Sequence, residues 1–312
     1  MRRLHVAEGG PYDAVQQTRG LCCGPSKLLA TLPAMSEPSS QTIAFIGGGN
    51  MAGALIGGLV RAGRAPADIL VIDPGEAPRA KLQADFGVRT QAAADAALAG
   101  AALVVWAVKP QLFAVAAAPC VPHLAGALHL SVMAGIRSGT IARACGLALD
   151  TAHIVRSMPN TPALIGRGIA ALVATPAVSA AERALVEQVL APTGQTLWVD
   201  READLDAVTA LSGSGPAYVF YVVEAMVAAA VEMGLSAEQG QRLALATFDG
   251  ATALAAQSGE PPALLRERVT SKGGTTDAAL RSLQADGVAP AFVKALKAAQ
   301  QRARELGDEF GG

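Results

Sequence analysis

Residues 42–60 read TIAFIGGGNMAGALIGGLV, in which a strand-length apolar run leads through three glycines into a stretch with helical spacing. Strand, glycine loop and helix in this order are the context that the dinucleotide-binding fingerprint requires. Gly47 permits the tight turn, Gly49 lets the backbone approach a pyrophosphate, and Ala52 is small enough for the helix to pack on the strand. The first amides of the helix and its positive end would then bind phosphate. The predicted cofactor-binding residues of this loop are Ile46, Gly47, Gly48, Gly49, Asn50 and Met51.

Outward from this loop, short apolar runs alternate with stretches rich in alanine and leucine up to about residue 204. Runs without a polar face are typical of parallel strands that helices cover on both sides. The sequence therefore predicts an α/β fold, a Rossmann-type doubly wound parallel sheet, over residues 42–204. The predicted strands span residues 43–46, 69–72, 103–108, 128–133, 154–157, 170–174 and 196–199.

The strand pattern ends near residue 204, and residues 205–312 have the pattern of an all-α domain. Gly234 is suited to ending one helix, because glycine adopts the left-handed conformation, and Ser236 is suited to capping the next. The predicted helices span residues 218–233, 237–257, 275–284 and 289–306.

One helical face in this half repeats apolar residues at a spacing of three to four. A single layer of helices can bury such a face only against another layer, so it serves either dimerisation or the core of the domain itself. Both alternatives remain open from the sequence. The face consists of Phe220, Val223, Val227 and Val231.

Composition restricts the classes of partner. The chain has 312 residues, a formal net charge of −1 and 16% charged residues, so it lacks the basic surface typical of nucleic-acid binding. Its longest apolar run, residues 96–108, is shorter than the roughly 18 residues that indicate a membrane span. The four cysteines, Cys22, Cys23, Cys120 and Cys145, show no metal-ligand spacing. These features predict a protein of the cytoplasm that binds no metal, no nucleic acid and no membrane.

Residues 1–40 are rich in turn formers and have no sustained helical or strand period, which predicts a disordered extension outside the fold. Arg2 and Arg3 are not followed by the compact apolar segment and cleavage site of a secretory signal. Met35 stands just before the first strand, so an alternative hypothesis places the start of translation there.

Asp73 follows the second predicted strand and is the expected cofactor contact beyond the glycine loop. A carboxylate at this point would bind both ribose hydroxyls and repel a 2′-phosphate, which favours NADH. Arg79 lies close behind, and the turn at Pro74 and Gly75 is compatible with an Asp73 that only caps the next helix. The sequence therefore predicts NADPH or NADH as the cofactor, with NADH only slightly favoured.

Further cofactor contacts are predicted where later strands end. The carboxyl ends of parallel strands meet at one edge of the sheet, and open α/β folds bind ligands there. Small residues and prolines at this edge are suited to a rigid wall beside a flat ring, although Lys109 has the alternative role of a solvated loop charge. The predicted contacts are Ala107, Val108, Lys109, Pro110, Ala134, Gly135 and Asn160.

Residues 270–277 read TSKGGTTD and precede a predicted helix. Two glycines let the backbone fold around a small anion, and the amides of Gly274, Thr275 and Thr276 can bind a carboxylate. The Thr276 hydroxyl can donate to or accept from a neighbouring nitrogen. The alternative is a plain helix start with a threonine N-cap. The stretch LSGSGPAY at residues 211–218 is ambiguous in the same way, because a proline near the first helical position also marks a helix start.

Taken together, these stretches resemble the pyrroline-5-carboxylate reductase family over residues 42–306. The matches are FIGGGNMA at 45–52, AVKP at 107–110, MPNTP at 158–162, LSGSGPAY at 211–218 and the stretch at 262–283. The last of these, which contains Thr270, Ser271, Gly273, Gly274 and Thr276, looks like the family signature. Lys272 departs from the pattern, because a proline is common at that point.

The resemblance implies a Rossmann domain, a helical C-terminal domain that dimerises, and an active site that takes residues from two subunits. Larger rings, decamers among them, are compatible with it. The implied reaction is the NAD(P)H-dependent reduction of a cyclic imine, 1-pyrroline-5-carboxylate, to L-proline in the last step of proline biosynthesis. The implied catalytic residue is Thr276, which contacts the ring nitrogen. The implied substrate-binding residues are Ser271, Gly273, Gly274, Thr275 and Thr276.

Two other functions fit part of the pattern. A beta-hydroxyacid dehydrogenase-like oxidoreductase also joins a Rossmann domain to a helical one, but it needs a catalytic lysine in a setting that Lys294 and Lys297 lack. A nonenzymatic NAD(P)-sensing protein needs no carboxylate-binding loop, which residues 270–276 supply.

Overall fold

Eight strands form one sheet at the centre of the structure, a computed structural model that describes residues 41–124 and 126–311. The strands are β1 Thr42–Ile46, β2 Ile69–Ile72, β3 Arg89–Gln91, β4 Ala101–Trp106, β5 Leu128–Ser131, β6 Ile154–Met158, β7 Gly168–Ala174 and β8 Gly194–Trp198. They lie in the order β3-β2-β1-β4-β5-β6-β7-β8, and the first six have the Rossmann order. The predicted α/β fold is confirmed. The predicted extension at residues 1–40 and the alternative start at Met35 lie outside the described residues.

The last two strands correct the expectation of a wholly parallel sheet. Strands β1 to β6 pair in parallel, whereas β7 runs antiparallel to β6 and β8 runs parallel to β7. A parallel crossover needs a dozen or more residues, usually with a helix, and residues 159–167 are too few to supply one. The short edge strand β3 was not predicted either, because its polar sequence Arg-Thr-Gln lacks the apolar run of the other strands.

The strands of the sheet are apolar throughout because helices cover both of its faces. In β1, Ile43 and Phe45 join the core on one face, and Ala44 and Ile46 join the core on the other. The helices that contribute to the first core are α1 Asn50–Arg61, α2 Glu76–Phe86 and α5 Ala180–Leu190. Those that contribute to the second are α3 Phe113–Ala117 and α4 Ser138–Ala144.

The chain after β8 is helical, as the sequence predicted. The helices are α6 Asp204–Val208, α7 Gly215–Glu232, α8 Ala237–Ser258, α9 Pro262–Arg268, α10 Thr275–Ala285 and α11 Val288–Glu309. Ser236 caps α8 by accepting a hydrogen bond from the amide of Gln239 at 3.1 Å, which confirms its predicted role. Helices α6 and α9 were not predicted, because five and seven residues are too short for a clear period.

One helical stretch, Asp204–Glu232, is long and apolar enough to cross a membrane by length and composition alone. Of its most apolar 18-residue window, 11% is buried within the chain. In the predicted apolar face, Val223 is buried, but Phe220 and Val231 are exposed. Much of the apolar surface of α7 is therefore left uncovered by the described part of the chain.

Candidate active site

The turn after β1 has the geometry that the fingerprint predicts. Gly47 has a φ of 101°, in the left-handed region that favours glycine. A Cβ at Gly47 would lie 2.6 Å from the carbonyl oxygen of Ala107, so a larger residue would collide with the backbone after β4. The Gly47 amide donates to the carbonyl of Ile72 at 2.8 Å, which ties the loop to β2. The protein itself therefore requires a glycine at this position, before any ligand binds.

Gly49 differs, because nothing in the protein requires it. A Cβ at Gly49 would meet no atom within 4 Å, so the space beside it is open. Gly49 precedes α1, whose N-terminus has no hydrogen bond from a capping side chain. The first amides of a helix have no partner within the helix, so those of Asn50 and Met51 are available to a pyrophosphate. This open, donor-lined space fits a dinucleotide cofactor.

Asp73 joins the glycine loop to the turn after β2. Its Oδ2 accepts a hydrogen bond from the Gly48 amide at 2.7 Å, and its Oδ1 accepts one from the Gly75 amide at 2.7 Å. Gly75 is the N-cap of helix α2, so Asp73 binds both the glycine loop and the turn that starts this helix. Its predicted cofactor contact and its alternative structural role both remain predictions. A guanidinium Nη1 of Arg79 donates to the Asp73 carbonyl at 2.7 Å. A carboxylate and a guanidinium thus lie at the end of β2.

The predicted contacts after β4 and β5 lie along the same edge as the glycine loop, because β1, β4 and β5 are parallel neighbours. The amide of Ala107 donates to the carbonyl of Ile46 at 2.8 Å, which holds the start of the 107–110 stretch beside the loop. Lys109 is exposed and precedes a short 3-10 turn that begins at Pro110. Its predicted cofactor contact and its alternative role as a solvated charge both remain compatible with this position.

The loop after β5, residues 132–137, is covered by the end of α11, which the sequence did not predict. Gly135 has a φ of 76°, and a Cβ there would lie 3.3 Å from the Phe310 ring and 3.5 Å from Leu306. The close packing of α11 therefore favours a glycine at this point of the loop. Arg137 in the same loop donates from Nη2 to Asp308 Oδ1 at 2.6 Å.

Asn160, in the loop after β6, has a structural role that the sequence did not predict. Its Nδ2 donates to the carbonyl of Ser212 at 3.1 Å, and its Oδ1 accepts from the amide of Ile169 at 3.0 Å. The side chain thereby joins the loop to β7 and to the π-helical turn Thr209–Gly213. Both polar groups of the side chain thus bind the protein, and the predicted cofactor contact of Asn160 stays a prediction.

The loop at residues 270–277 is a compact turn that leads into α10. The amide of Gly274 donates to the carbonyl of Ser271 at 3.0 Å, so the expectation that this amide is free for a carboxylate is wrong. The Gly273 amide donates to Asp277 Oδ2 at 2.9 Å. Helix α10 follows Gly274 without a side-chain cap, so the alternative of a threonine N-cap is wrong as well. The amides of Thr275 and Thr276 are left for a ligand at this helix N-terminus.

This loop is partly open to solvent and leads into α10. Ser271, Gly273 and Thr275 are exposed, and α10 packs on α11. A cavity of about 400 Å³ lies beside Gly49, and one of about 500 Å³ lies beside Asn160. Within the described residues, no member of 270–277 lines either of these cavities. Neither of these two cavities therefore joins the two predicted halves of the site.

Other titratable groups lie outside this arrangement. Burial raises the pKa of the Cys120 thiol to about 11, and burial together with Cys120 raises that of Cys145 to about 12, so neither is a nucleophile at neutral pH. His129 is buried in strand β5, and its Nδ1 accepts a hydrogen bond from Trp106 Nε1 at 3.1 Å. Among residues 41–124 and 126–311, no group of three or more His, Cys, Asp or Glu is arranged to hold a metal ion.

A partly buried network of charges around Glu202 was not predicted from the sequence. Glu202 Oε1 accepts hydrogen bonds from the amide of Ser138 at 2.6 Å, from its hydroxyl at 2.8 Å and from Arg156 Nη1 at 2.9 Å. Burial alone would raise the pKa of Glu202, but the hydrogen bond from the Ser138 amide and the charge of Arg156 outweigh it and hold the pKa below its usual range. Glu202 is thus ionised at neutral pH.

The two halves of the chain match the models of two protein families. Residues 202–306 match a family described as pyrroline-5-carboxylate reductase dimerisation, and residues 42–135 match one described as NADP oxidoreductase, coenzyme F420-dependent. A pyrroline-5-carboxylate reductase of Pseudomonas aeruginosa is 44% identical over 274 residues, which are 88% of this chain and 99% of that protein. The chain belongs to the pyrroline-5-carboxylate reductase family.

Further reductases of the family agree in sequence and in structure. The reductase of Corynebacterium melassecola is 36% identical over 270 residues, which are 85% of this chain and 98% of that protein. The solved structure of the Coxiella burnetii reductase has a TM-score of 0.80 at 34% identity, over 86% of this chain and 99% of that one. The Plasmodium falciparum reductase, solved with NADP bound, has a TM-score of 0.76 at 26% identity, over 86% and 98%. The predicted family is confirmed, and the two rival functions are set aside.

Proposed function

We propose that the active site joins the glycine-loop edge of one chain to residues 270–277 of a second chain. The family assignment makes the chain an NAD(P)H-dependent oxidoreductase acting on a CH-NH group, which reduces 1-pyrroline-5-carboxylate to L-proline in the last step of proline biosynthesis. The observation that carries the proposal is the exposure of Ser271, Gly273 and Thr275, together with the absence of residues 270–277 from the lining of the cavity beside Gly49 within the described residues. A second copy would supply this loop to the cofactor edge of its partner.

The cofactor half of the proposed site is the edge of the sheet in residues 42–204. The pyrophosphate occupies the open space at Gly49 and accepts hydrogen bonds from the first amides of α1. Asp73 receives the hydroxyls of the adenosine ribose, since its carboxylate already faces the glycine loop through the Gly48 amide. The nicotinamide end lies along residues 107–110 and 134–135, where the neighbouring strands end.

The substrate half is the turn at residues 270–277 within the helical domain, residues 205–312. The amides of Thr275 and Thr276 hold the substrate carboxylate, and Ser271, Gly273 and Gly274 shape the turn. The Thr276 hydroxyl orients the ring nitrogen and relays a proton to it. Bound NAD(P)H supplies a hydride to the imine carbon. No histidine of the described residues lies in this turn, so positioning contributes more than a dedicated acid.

We propose that a second copy of the chain, and not a membrane, buries the apolar surface of α7 and α8. Residues 202–306 match the dimerisation model of the family, and helices with uncovered apolar faces associate readily. We therefore propose a homodimer through the helical domain, rings up to a decamer, and a cytoplasmic location. The large apolar residues exposed on these two helices include Phe220, Tyr221, Val231, Leu243, Leu245 and Leu254.

Complementation between two defective chains tests the proposed site. Gly49→Val fills the space proposed for the pyrophosphate, at a position where a Cβ meets no protein atom within 4 Å, and Thr276→Ala removes the proposed catalytic hydroxyl. The two variants are co-expressed with different affinity tags, purified on both tags, and assayed by oxidation of NADH and NADPH at 340 nm with 1-pyrroline-5-carboxylate. If each site uses two chains, one site in every mixed dimer is intact, and activity reaches about half of the wild-type value.

The matched control carries Thr276→Ala on both tagged chains and gains nothing on co-expression. A mixed oligomer no more active than the mean of its two parents would show that each site forms within one chain. That result would overturn the two-chain site without affecting the family assignment.

A further inference from the structure

The hydrogen bonds around Glu202 fix the end of the loop at residues 132–137. Ser138 is the first residue of α4 and directly follows the loop at 132–137, which carries the proposed nicotinamide contacts. Glu202 lies in the link between β8 and α6, and Arg156 lies within β6. All three hydrogen bonds converge on Glu202 Oε1, at distances of 2.6 to 2.9 Å. One carboxylate therefore joins the end of this loop to the sheet and to the start of the helical domain.

The other parts of the loop are fixed independently. Near β5, the amide of Val132 donates to the carbonyl of Trp106 at 3.1 Å. In the middle, Gly135 lies beneath Phe310, and Arg137 is paired with Asp308. Glu202 holds the third point, where the loop enters α4. The backbone at Ala134 and Gly135 thus lies between the fixed amides of Val132 and Ser138, and Gly135 also packs against Phe310.

Stability alone does not account for this arrangement. The side chain of Arg156 is 8% exposed and that of Glu202 is 35% exposed, and Arg156 Nε has no hydrogen-bond partner within the described residues. Taking the guanidinium out of water costs free energy, which the attraction of a partly buried carboxylate offsets only in part. The pair does fix the orientation of Ser138, since the Glu202 carboxylate accepts hydrogen bonds from both its amide and its hydroxyl.

We propose that Glu202, held by Arg156, is a positioning residue for hydride transfer. By fixing the amide of Ser138, it sets the backbone of residues 134–135 against the nicotinamide end of the cofactor. This inference rests on the proposed function, because it assumes that the cofactor lies along that loop. A displacement of about 1 Å between reacting groups can lower a rate by about a hundredfold. Greater freedom of the backbone at residues 134–135 should therefore slow the hydride transfer itself.

The test compares Glu202→Gln with Ser138→Ala. The first keeps the size of the side chain but removes the charge, and the second removes one hydrogen bond while the Ser138 amide remains. We expect kcat to fall by about tenfold in Glu202→Gln and by about twofold to threefold in Ser138→Ala, in keeping with partial loss of oriented catalysis. The dissociation constant of NADH, measured by fluorescence without substrate, stays within about twofold of wild type in both.

The primary deuterium isotope effect on kcat, measured with 4-deuterated NADH, separates positioning from a merely structural role. Because hydride transfer slows, the isotope effect rises in Glu202→Gln. Asp204→Asn is the matched control, because Asp204 forms an exposed ion pair with Arg201 on the same link and does not touch the loop. It leaves both kcat and the isotope effect unchanged.

Two results would overturn the inference. One is a Glu202→Gln enzyme with a lower melting temperature but an unchanged kcat and isotope effect, which is the signature of a structural role. The other is a loss of NADH affinity in step with kcat, which would place Glu202 in binding. Either result can occur while the complementation experiment succeeds, so failure here is distinguishable from failure of the two-chain site.

Discussion

The glycine-loop edge and the loop at residues 270–277 differ in how far one chain completes them. At the edge, Gly47 and Asp73 are bonded to neighbouring strands and loops, and a cavity lies beside Gly49. The 270–277 loop is held by hydrogen bonds within itself and to residues that adjoin it in sequence, and part of it is exposed to solvent. The difference shows that contacts within one chain build the glycine-loop edge, whereas the 270–277 turn has exposed residues that a second chain can cover, as proposed above.

Replacing Gly47 should have the largest effect, because the edge itself depends on this residue. Gly47→Ala places a Cβ 2.6 Å from the Ala107 carbonyl at a φ of 101°, so we expect the free energy of unfolding to fall by about 3 kcal/mol or more. Urea denaturation measures this change. Gly49→Ala is the matched control, because its Cβ meets no protein atom within 4 Å.

For Gly49→Ala we expect unchanged stability but an NADH dissociation constant about tenfold higher, since the methyl group enters the space for the pyrophosphate. Equal losses of stability in the two variants would mean that both glycines serve the fold, and the distinction between protein and cofactor requirements would fail.

Acid should destabilise the sheet through His129, a buried residue of strand β5. Burial, followed by the charge of His153, lowers the pKa of His129 from 6.5 to about 4. As the pH falls, the unfolded chain therefore takes up the proton before the folded chain does. The contribution of neutral His129 to the free energy of unfolding is present above pH 6.5 and is lost as the pH falls toward 4. Each pKa unit corresponds to about 1.4 kcal/mol, so roughly 2 to 3 kcal/mol of unfolding free energy is expected to disappear.

Urea denaturation at a series of pH values between 7 and 4 measures this loss. His129→Gln can still accept the hydrogen bond from Trp106 but does not titrate, so its stability should change less with pH. The same slope in both proteins would assign the acid sensitivity to other groups.

Thr276 tests the exposed loop without touching the edge. Thr276→Ala should lower kcat/KM by roughly tenfold or more, which corresponds to about 1.4 kcal/mol of transition-state stabilisation, while stability stays close to wild type. Steady-state kinetics with 1-pyrroline-5-carboxylate measure the change. Thr276→Ser keeps the hydroxyl and should retain most of the activity, so an equal loss in both variants would remove the hydroxyl from the mechanism.

The smallest expected effect is on cofactor choice at Asp73. Its carboxylate is held beside the glycine loop by two amides, so it should disfavour a 2′-phosphate, although water and salt weaken the repulsion. We expect Asp73→Asn to lower the ratio of kcat/KM for NADH to that for NADPH by about fivefold, close to 1 kcal/mol. Arg79→Gln, which should affect NADPH alone, is the comparison. An unchanged ratio in Asp73→Asn would show that this carboxylate does not select the cofactor.

Predictions from the sequence succeeded where the structure of a short stretch depends only on the residues within that stretch. The glycine loop, the apolar strands and the cap at Ser236 depend on backbone conformation and spacing within a few residues. They failed at the amide of Gly274, which was expected to be free but donates to the carbonyl of Ser271 within the same turn. They also missed the structural role of the Asn160 side chain, whose partner Ser212 is 52 residues away along the chain.

The sequence by itself determined the α/β order of the first half, the helical second half and the position of the cofactor loop, because these follow from local periodicity and glycine geometry. The tertiary structure decided the reversal of β7 and β8, and the cover that α11 provides over Gly135. It also decided the convergence on Glu202, which lies 64 residues from Ser138 along the chain. Such contacts form only after the chain has folded, and no local pattern of residues specifies them.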